Sequence, residues 1–253
     1  MLTDSHCHLD FPDFDLPRVM ARCANAGVTR IVIPAVAQWN WARIAALCAA
    51  DSRCHAAYGL HPLYLDDHRE AHIDELEQWL AAYPAVAIGE CGLDYFVELP
   101  RARQQWFFEA QLELARRLDL PVIIHARRSL DAVLHTMKRF PGLRFVVHSF
   151  TGSDQQLAQL FALGGIIGIG GTCTYPRASR LRRQIAALQA GQYMLETDAP
   201  DQPLFGRQGQ INEPWLTAEV AAAVATLTGA LLADVIAASS ATADKFYKWE
   251  NFS

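Results

Sequence analysis

Several features that would place a sequence in a common protein class at once are missing from these 253 residues. No apolar run approaches the roughly 20 residues of a membrane span, so we expect no membrane association. The six cysteines contain no Cys-x-x-Cys pair, which argues against a zinc ribbon and against a thioredoxin-like redox site. Because a Walker-type Gly-Lys-Ser and a complete dinucleotide-binding loop are also absent, we expect no nucleotide cofactor.

Positive charge is scarce as well. The sequence has 22 Lys and Arg against 27 Asp and Glu, which gives a formal net charge of −5. A global basic field that collects nucleic acid is therefore excluded, and any polyanion must be bound locally. Residues 1–6 lack the basic and apolar parts of a secretory signal, so we expect a cytoplasmic protein with reduced cysteines. Since no linker or composition shift marks a boundary, residues 1–253 are predicted to form one domain, and we expect a monomer.

What the sequence does contain is an alternation of short, apolar, β-rich runs with stretches of helical spacing. The eight runs are residues 2–5, 30–34, 55–60, 85–89, 121–125, 144–148, 165–170 and 192–197. Alternation of this kind predicts a parallel sheet covered by helices, because parallel strands need long crossover connections. Eight such units in about 250 residues predict an α/β fold, a single-domain (β/α)8 TIM barrel. A doubly wound open sheet is the competing architecture.

The first run ends in a His-x-His pair. His6 and His8 are two residues apart on a predicted strand, so they point to the same side and can bind one ion, while Cys7 faces the opposite way. An isolated His-x-His is a weak signal, because most such histidines are structural. Its position at the end of a predicted barrel strand strengthens it.

Further candidate metal ligands end or follow other runs, and they lie far apart in the sequence. They are Glu90, His125, His148 and Asp198. Only a closed barrel brings the first and last strands together, and its active sites lie at the carboxyl ends of the strands. With the His-x-His pair, these residues make four imidazoles and two carboxylates, more than the four ligands of a structural zinc site.

The number of ligands predicts two divalent cations. Glu90, with two oxygens, could bridge them; one site would be completed by His6, His8 and Asp198, the other by His125 and His148. Two cations about 3.5–4 Å apart can hold a bridging hydroxide and stabilise both the attacking and the leaving oxygen, which is hydrolase chemistry. Nitrogen and oxygen ligands admit zinc, manganese, nickel, cobalt or magnesium. We expect Asp198 and Glu90 to act in catalysis, with Asp198 as the proton acceptor.

The motifs that contain these residues resemble the TatD family of metal-dependent hydrolases, within the amidohydrolase-like TIM barrels, and in particular its YjjV-like branch. The matching segments are SHCHLD from Ser5, GLHP from Gly59, GECGLD from Gly89, RQQWFFEAQLELA from Arg103, LPVIIHAR from Leu120, VVHSFTGS from Val146 and ETDAPD from Glu196. The resemblance implies deoxyribonuclease or related ester hydrolase activity and the same six metal ligands. Asp201 and Ile211 depart from it, because many relatives carry an aromatic residue and an arginine there.

Two further residues are predicted to bind substrate at the same end of the barrel. His61 ends the third run and could donate a hydrogen bond to a phosphoryl oxygen. Arg127 lies two residues beyond His125, and its planar guanidinium suits a bidentate phosphate contact. The arginine-rich residues 176–183 form either a solvated helix face or a patch that holds nucleic acid. Glu196, two residues before Asp198, is expected to be structural.

We therefore expect a divalent-metal-dependent hydrolase of ester bonds, in particular a phosphodiesterase or deoxyribonuclease that binds DNA or another phosphoester. The alternative is an acyl hydrolase with the same metal centre, such as an amidase, a lactonase or an aminoacyl-tRNA deacylase, because a fold does not decide the substrate. A third hypothesis is a metal-dependent binding protein without catalysis.

Overall fold

Eight parallel strands form the inner wall of the protein in a computed structural model that describes residues 1–249. The strands are β1 (Leu2–Asp4), β2 (Val28–Pro34), β3 (Cys54–Tyr58), β4 (Ala87–Asp94), β5 (Val122–Arg127), β6 (Phe145–Val147), β7 (Ile166–Ile169) and β8 (Tyr193–Leu195). Each strand pairs with the next along the chain, in the order β1 to β8. All eight predicted runs are strands, and the predicted α/β barrel is confirmed.

Helices connect the strands on the outside. They are α1 (Leu16–Asn25), α2 (Trp41–Ala50), α3 (Ala71–Ala82), α4 (Arg101–Leu118), α5 (Leu130–Met137), α6 (Asp154–Ala162), α7 (Ser179–Ala186), α8 (Thr217–Thr228) and α9 (Leu232–Tyr247). No single helix within the described residues is long and apolar enough to cross a membrane. The segments Pro214–Thr228 and Leu232–Tyr247 together have the length and composition of a span, but the chain bends sharply between them.

The first and last strands meet just beyond their regular ends, which closes the barrel. The Ser5 amide donates to the Leu195 carbonyl at 3.0 Å, and the Asp198 amide donates to the His6 carbonyl at 2.9 Å. Cys7 and Ala199 form a further parallel bridge. An open sheet would leave these groups without partners, so the doubly wound alternative is wrong.

Successive strand residues are buried on opposite sides of the barrel wall, as the continuous apolar runs predicted. Ile31 and Ile33 pack outward against the helices, whereas Val32 belongs to a smaller cluster inside the barrel. Ile123 and Val146 belong to the same inner cluster. Two residues further along their strands, the inward positions hold polar side chains, and these form the candidate site.

Strand β4 departs from the predicted boundary. The run was expected to end at Gly89, but the strand continues to Asp94 with a register irregularity between Ile88 and Cys91. The irregularity changes which face successive residues occupy: Ala87 packs in the inner cluster, yet Cys91 packs outward. Glu90 is thereby directed into the barrel, in the middle of a strand rather than at its end.

Candidate metal centre

Glu90 lies at the base of a pocket of about 600 Å³ at the carboxyl ends of the strands. Its side chain is 1% exposed, and its two oxygens face different histidines. Oε2 is 3.1 Å from His6 Nε2 and 3.4 Å from His8 Nε2. Oε1 is 3.0 Å from His125 Nδ1 and 2.8 Å from His148 Nε2. Glu90 therefore occupies the position that a ligand bridging two cations would need.

The first group of donor atoms has the spacing of ligands around one ion. His6 Nε2 and His8 Nε2 are 3.3 Å apart, and Asp198 Oδ1 is 3.4 Å and 3.7 Å from these two nitrogens. Ligands that surround an ion tetrahedrally at about 2.0–2.1 Å lie about 3.3 Å from one another. The distances among His6, His8, Glu90 and Asp198 thus fit a single cation.

The other ring nitrogen of His8 contacts a backbone carbonyl. His8 Nδ1 lies 3.2 Å from the Pro34 carbonyl oxygen. Since a carbonyl only accepts, Nδ1 carries a proton and donates it, which leaves Nε2 to face the cluster. A second nitrogen anchored on a carbonyl is the usual arrangement of metal-binding histidines.

The second group of donor atoms is organised by Asp94, a residue that lies in one of the family motifs but was not predicted to have a role. His125 Nε2 donates to Asp94 Oδ2 at 2.9 Å, so His125 Nδ1 is the nitrogen that faces the cluster, 3.0 Å from Glu90 Oε1 and 3.4 Å from His148 Nε2. Asp94 is fully buried and also accepts from the Phe96 amide. The signal in the sequence was its position four residues after Glu90, on the same face of β4.

His61 contacts Glu90 in a different way. Its Nδ1 accepts from the Leu63 amide at 3.0 Å, so the proton is on Nε2, which lies 3.0 Å from Glu90 Oε1. His61 therefore donates to Glu90 and orients this carboxylate. A hydrogen bond from His61 to substrate stays a prediction, and it requires the contact with Glu90 to open.

The pKa values of the histidines indicate where protons would compete with cations. Burial lowers the pKa of His8, but the hydrogen bond and the charge of Glu90 outweigh this effect and raise the pKa to about 9. His148 behaves in the same way, with a pKa raised to about 10. Burial, together with the positive charge of His148, lowers the pKa of His6 to about 4. Because a metal binds the deprotonated imidazole, cations would have to displace the protons on His8 and His148.

Both the backbone conformation of Asp198 and a hydrogen bond to its side chain fix the position of its carboxylate. Its backbone lies in the left-handed region with φ of 59°, a conformation that Asp tolerates better than most residues. Its Oδ2 accepts from Gln202 Nε2 at 2.5 Å, which leaves Oδ1 to face His6 and His8. Asn212 fixes the following loop, because its side-chain amide donates to the carbonyls of Thr197 and Asp201. Neither Gln202 nor Asn212 was predicted from the sequence.

Glu196 lies one layer below the donor cluster. Its Oε1 accepts from the Ser149 amide at 2.5 Å and is 3.9 Å from His148 Nδ1. Burial raises the pKa of Glu196 to about 8. A Cβ added at Gly168 would lie 2.1 Å from a Glu196 oxygen, so this glycine makes room for the carboxylate. Both observations agree with a structural role for Glu196.

Arg127 lines the pocket above the cluster, as its position on β5 predicted. Its guanidinium lies over the Phe96 ring, 3.7 Å from the centroid, and Arg128 approaches the same ring at 4.6 Å. The arginine-rich residues 176–183 lie outside the lining of this pocket. Within this segment, Arg182 donates to the Cys173 carbonyl and Arg183 pairs with Asp154, which favours a solvated helix surface.

Comparison with known proteins agrees with this geometry. A family model described as TatD related DNase matches residues 3–248. The chain belongs to the TatD family. It is 47% identical over 230 residues to the uncharacterized metal-dependent hydrolase YjjV of Escherichia coli (strain K12), covering 88% of this chain and 89% of that one. The crystal structure of that TatD homologue superposes with a TM-score of 0.94 at 43% identity over 98% of each chain.

A second relative carries a more specific name. The chain is 36% identical over 195 residues to the 3'-5' ssDNA/RNA exonuclease TatD of Edwardsiella piscicida, which covers 74% of each chain. The resemblance to the TatD family and to its YjjV-like branch is therefore confirmed. This TatD-family protein is a metal-dependent hydrolase.

Proposed function

We propose that the protein hydrolyses phosphodiester bonds in DNA with the help of two divalent cations. The observation that carries this proposal is the placement of Glu90, whose two oxygens face two separate groups of ring nitrogens. The proposed ligands are His6, His8, Glu90 and Asp198 for one cation, and Glu90, His125 and His148 for the other. Divalent cations bound there would lower the pKa of a water molecule and neutralise charge that develops on phosphoryl oxygens.

Asp198 is the proposed proton acceptor. Its side chain reaches the pocket, and the hydrogen bond from Gln202 fixes the carboxylate without consuming Oδ1. A carboxylate fixed in this way can take the proton that the attacking water loses. Glu90 acts differently, as an anion that binds cations. Burial would raise its pKa, but positive charge on His148 and the other surrounding histidines holds this pKa well below its usual range.

Arg127 is proposed to bind the phosphate group. Its guanidinium is oriented by the Phe96 ring before any substrate arrives, and a planar guanidinium can donate two parallel hydrogen bonds to a phosphate. The names of the exonuclease relatives from Edwardsiella piscicida and a Rahnella species favour nucleic acid as the substrate. A neutral ester, lactone or amide would give Arg127 no anion to bind.

Reconstitution tests this proposal. Metal-stripped protein would be reloaded separately with zinc, manganese, nickel, cobalt and magnesium and assayed on single-stranded DNA, on a generic phosphodiester, and on a panel of esters and amides. We expect at least one cation to restore diester hydrolysis, and Arg127→Gln to lower kcat/KM for DNA by about tenfold, the scale of one lost charge-assisted contact. Activity confined to acyl substrates would reject the proposal in favour of the acyl hydrolase.

A further inference from the structure

A second cavity, of about 360 Å³, adjoins the metal centre. The two cavities share Phe11 and Tyr64 in their walls, so they are direct neighbours. The second one is lined by Asp10, Phe11, Pro12, Trp39, Asn40, Arg43 and Tyr64. Its volume lies within the range of about 300–1,000 Å³ that is usual for small-molecule sites. None of the proposed metal ligands lines it, and the hydrolytic chemistry leaves it without a role.

Three aromatic rings form much of the wall of this cavity. Trp39 is 55% exposed although it is a large apolar side chain, and its ring meets the Tyr64 ring edge-on with centroids 5.9 Å apart. The indole nitrogen of Trp39 donates to Asp67 Oδ2 at 3.3 Å, which fixes the orientation of the ring. Phe11 stacks on His8, one of the proposed ligands, with centroids 5.3 Å apart. The aromatic surface therefore extends from the metal centre outward.

The loop that carries Trp39 is held in place by the side chain of the next residue, Asn40. Asn40 is fully buried, and its Oδ1 accepts from the amides of Val36 and Ala37. Its Nδ2 donates to Asp10 Oδ2 at 2.9 Å. These contacts tie the connection between β2 and α2 to the segment that follows the His-x-His pair. The cavity is thus formed before a ligand enters, which lowers the entropic cost of binding.

We propose that this cavity is a subsite for a nucleobase adjoining the scissile phosphate, and this inference rests on the proposed function. A flat, uncharged heteroaromatic ring is the group that stacks on exposed indole and phenol rings, and such stacking tolerates every base. The exposed Arg43 places a positive charge beside the cavity, where the next phosphate of the chain would pass. Because a base in a duplex is already stacked on its neighbours, the subsite favours single strands.

Substitution of Trp39 tests the subsite. Metal-loaded wild-type, Trp39→Ala and Trp39→Phe proteins would be assayed on a short single-stranded DNA, on the same DNA with abasic residues flanking the scissile phosphate, and on a generic phosphodiester. Trp39→Ala should lower kcat/KM for the intact DNA by about tenfold, the scale of one lost base–aromatic contact, and Trp39→Phe should restore most of it. With the wild-type protein, kcat/KM for the abasic DNA should be lower than that for the intact DNA by a similar factor. Trp39→Ala should not lower kcat/KM for the abasic DNA any further. Hydrolysis of the generic diester should not change.

Trp106→Ala is the matched control, because Trp106 is an exposed tryptophan, 43% accessible, on α4 that lines neither cavity. It should leave all three activities as in wild type. Equal kcat/KM of wild type and Trp39→Ala on intact DNA, or an equal loss on the generic diester, would overturn the subsite while leaving DNA hydrolysis intact.

Binding separates failure of the subsite from failure of the proposed function. The affinity of a fluorescein-labelled single-stranded DNA for metal-loaded Asp198→Asn protein should fall by about tenfold when abasic residues replace the bases, or when Trp39→Ala is added. Base-dependent binding without any DNA hydrolysis by wild type would reject the nuclease and retain the subsite. Binding that is absent, or indifferent to the bases, would reject the subsite.

Discussion

At the scale of single residues, the second nitrogen of each imidazole decides what the first can do. In His8 and His125 one nitrogen donates to an oxygen, of Pro34 and of Asp94 respectively, so the other is left to bind a cation. In His61 one nitrogen accepts from a backbone amide, so the other must donate. Residues of the same type, all next to Glu90, are thereby divided into proposed ligands and a positioning residue.

Asp94→Asn tests this division. The amide keeps the shape of the carboxylate but loses its charge, so the His125 ring becomes less basic and less firmly oriented. We expect the affinity for the second cation to fall by about 10- to 100-fold, the usual effect of such a change behind a metal ligand. Metal titration followed by calorimetry measures it, with Asp131→Asn, an exposed aspartate on α5, as the control. Unchanged affinity for both cations would remove Asp94 from this role.

Asp198→Asn separates proton transfer from metal binding. The amide oxygen can still approach His6 and His8 as a neutral ligand, but an amide does not accept a proton from water. Turnover should therefore fall by about 100-fold or more while most of the bound metal is retained. Steady-state kinetics together with metal analysis of the same sample measures both quantities. A variant that retains its metal and turns over at nearly the wild-type rate would contradict the assignment.

At the scale of elements, the spacing between strands decides where Glu90 points. A Cβ added at Gly59, just beyond β3, would lie 2.6–2.9 Å from backbone atoms of Gly89 and Glu90. Only a residue without a side chain lets the two segments approach so closely, and this approach accompanies the irregularity in β4. Strand pairing and the metal centre therefore depend on the same few backbone atoms.

Gly59→Ala should be costly for this reason. The new methyl group would meet backbone, which cannot move aside like a side chain, so we expect the free energy of unfolding to fall by about 1–3 kcal/mol. Gly170→Ala is the matched control, because a Cβ there would have its nearest neighbour at 3.6 Å, an ordinary contact. Urea denaturation of the metal-free proteins measures the difference. Equal losses in the two variants would show that the close approach is not the cause.

The same strand shows what could be predicted from sequence and what could not. Short apolar runs predicted eight strands, and the ionisable residues that end or follow these runs predicted which side chains would converge, because both depend on local sequence. The contacts of Asp94 with His125 and of His61 with Glu90 could not be predicted, since they depend on the register between neighbouring strands. A one-residue irregularity in β4 changes that register, and no residue in the sequence predicts it.

At the scale of the whole molecule, closure of the barrel assembles the first group of donors. His6 and Asp198 are separated by most of the chain and meet only where the ends of the sheet join. Helix α9 covers this seam: Ser239 Oγ accepts from the Leu195 amide, and the Tyr247 hydroxyl donates to the Ser5 carbonyl. Helix α9 contributes no donor atom to the proposed cluster, but these two hydrogen bonds stabilise the seam at which the cluster lies.

The lower end of the barrel, where the strands begin, gives the stability of the protein a pH dependence that is separate from the candidate metal centre. The His55 ring, on β3, packs on Trp249 with centroids 4.4 Å apart, and Arg30 lies over the same indole. Burial, helped by the charge of Arg30, lowers the pKa of His55 from 6.5 to about 4. Between these two values the unfolded chain binds more protons at this residue than the folded protein does. The contribution of neutral His55 to the free energy of unfolding is therefore fully present above pH 6.5 and is lost as the pH falls towards 4.

His55→Gln should therefore lose less stability on acidification than wild type does. The substitution also removes the ring contact with Trp249, but that loss is the same at every pH and cancels when each protein is compared with itself. Urea denaturation of the metal-free proteins at about pH 7 and about pH 4.5 gives the two free energies of unfolding, and their difference should be smaller in His55→Gln. His135→Gln, at an exposed position on α5, is the control and should follow wild type. If His55→Gln follows wild type as well, the acid sensitivity arises elsewhere, and the lower end of the barrel does not contribute to it.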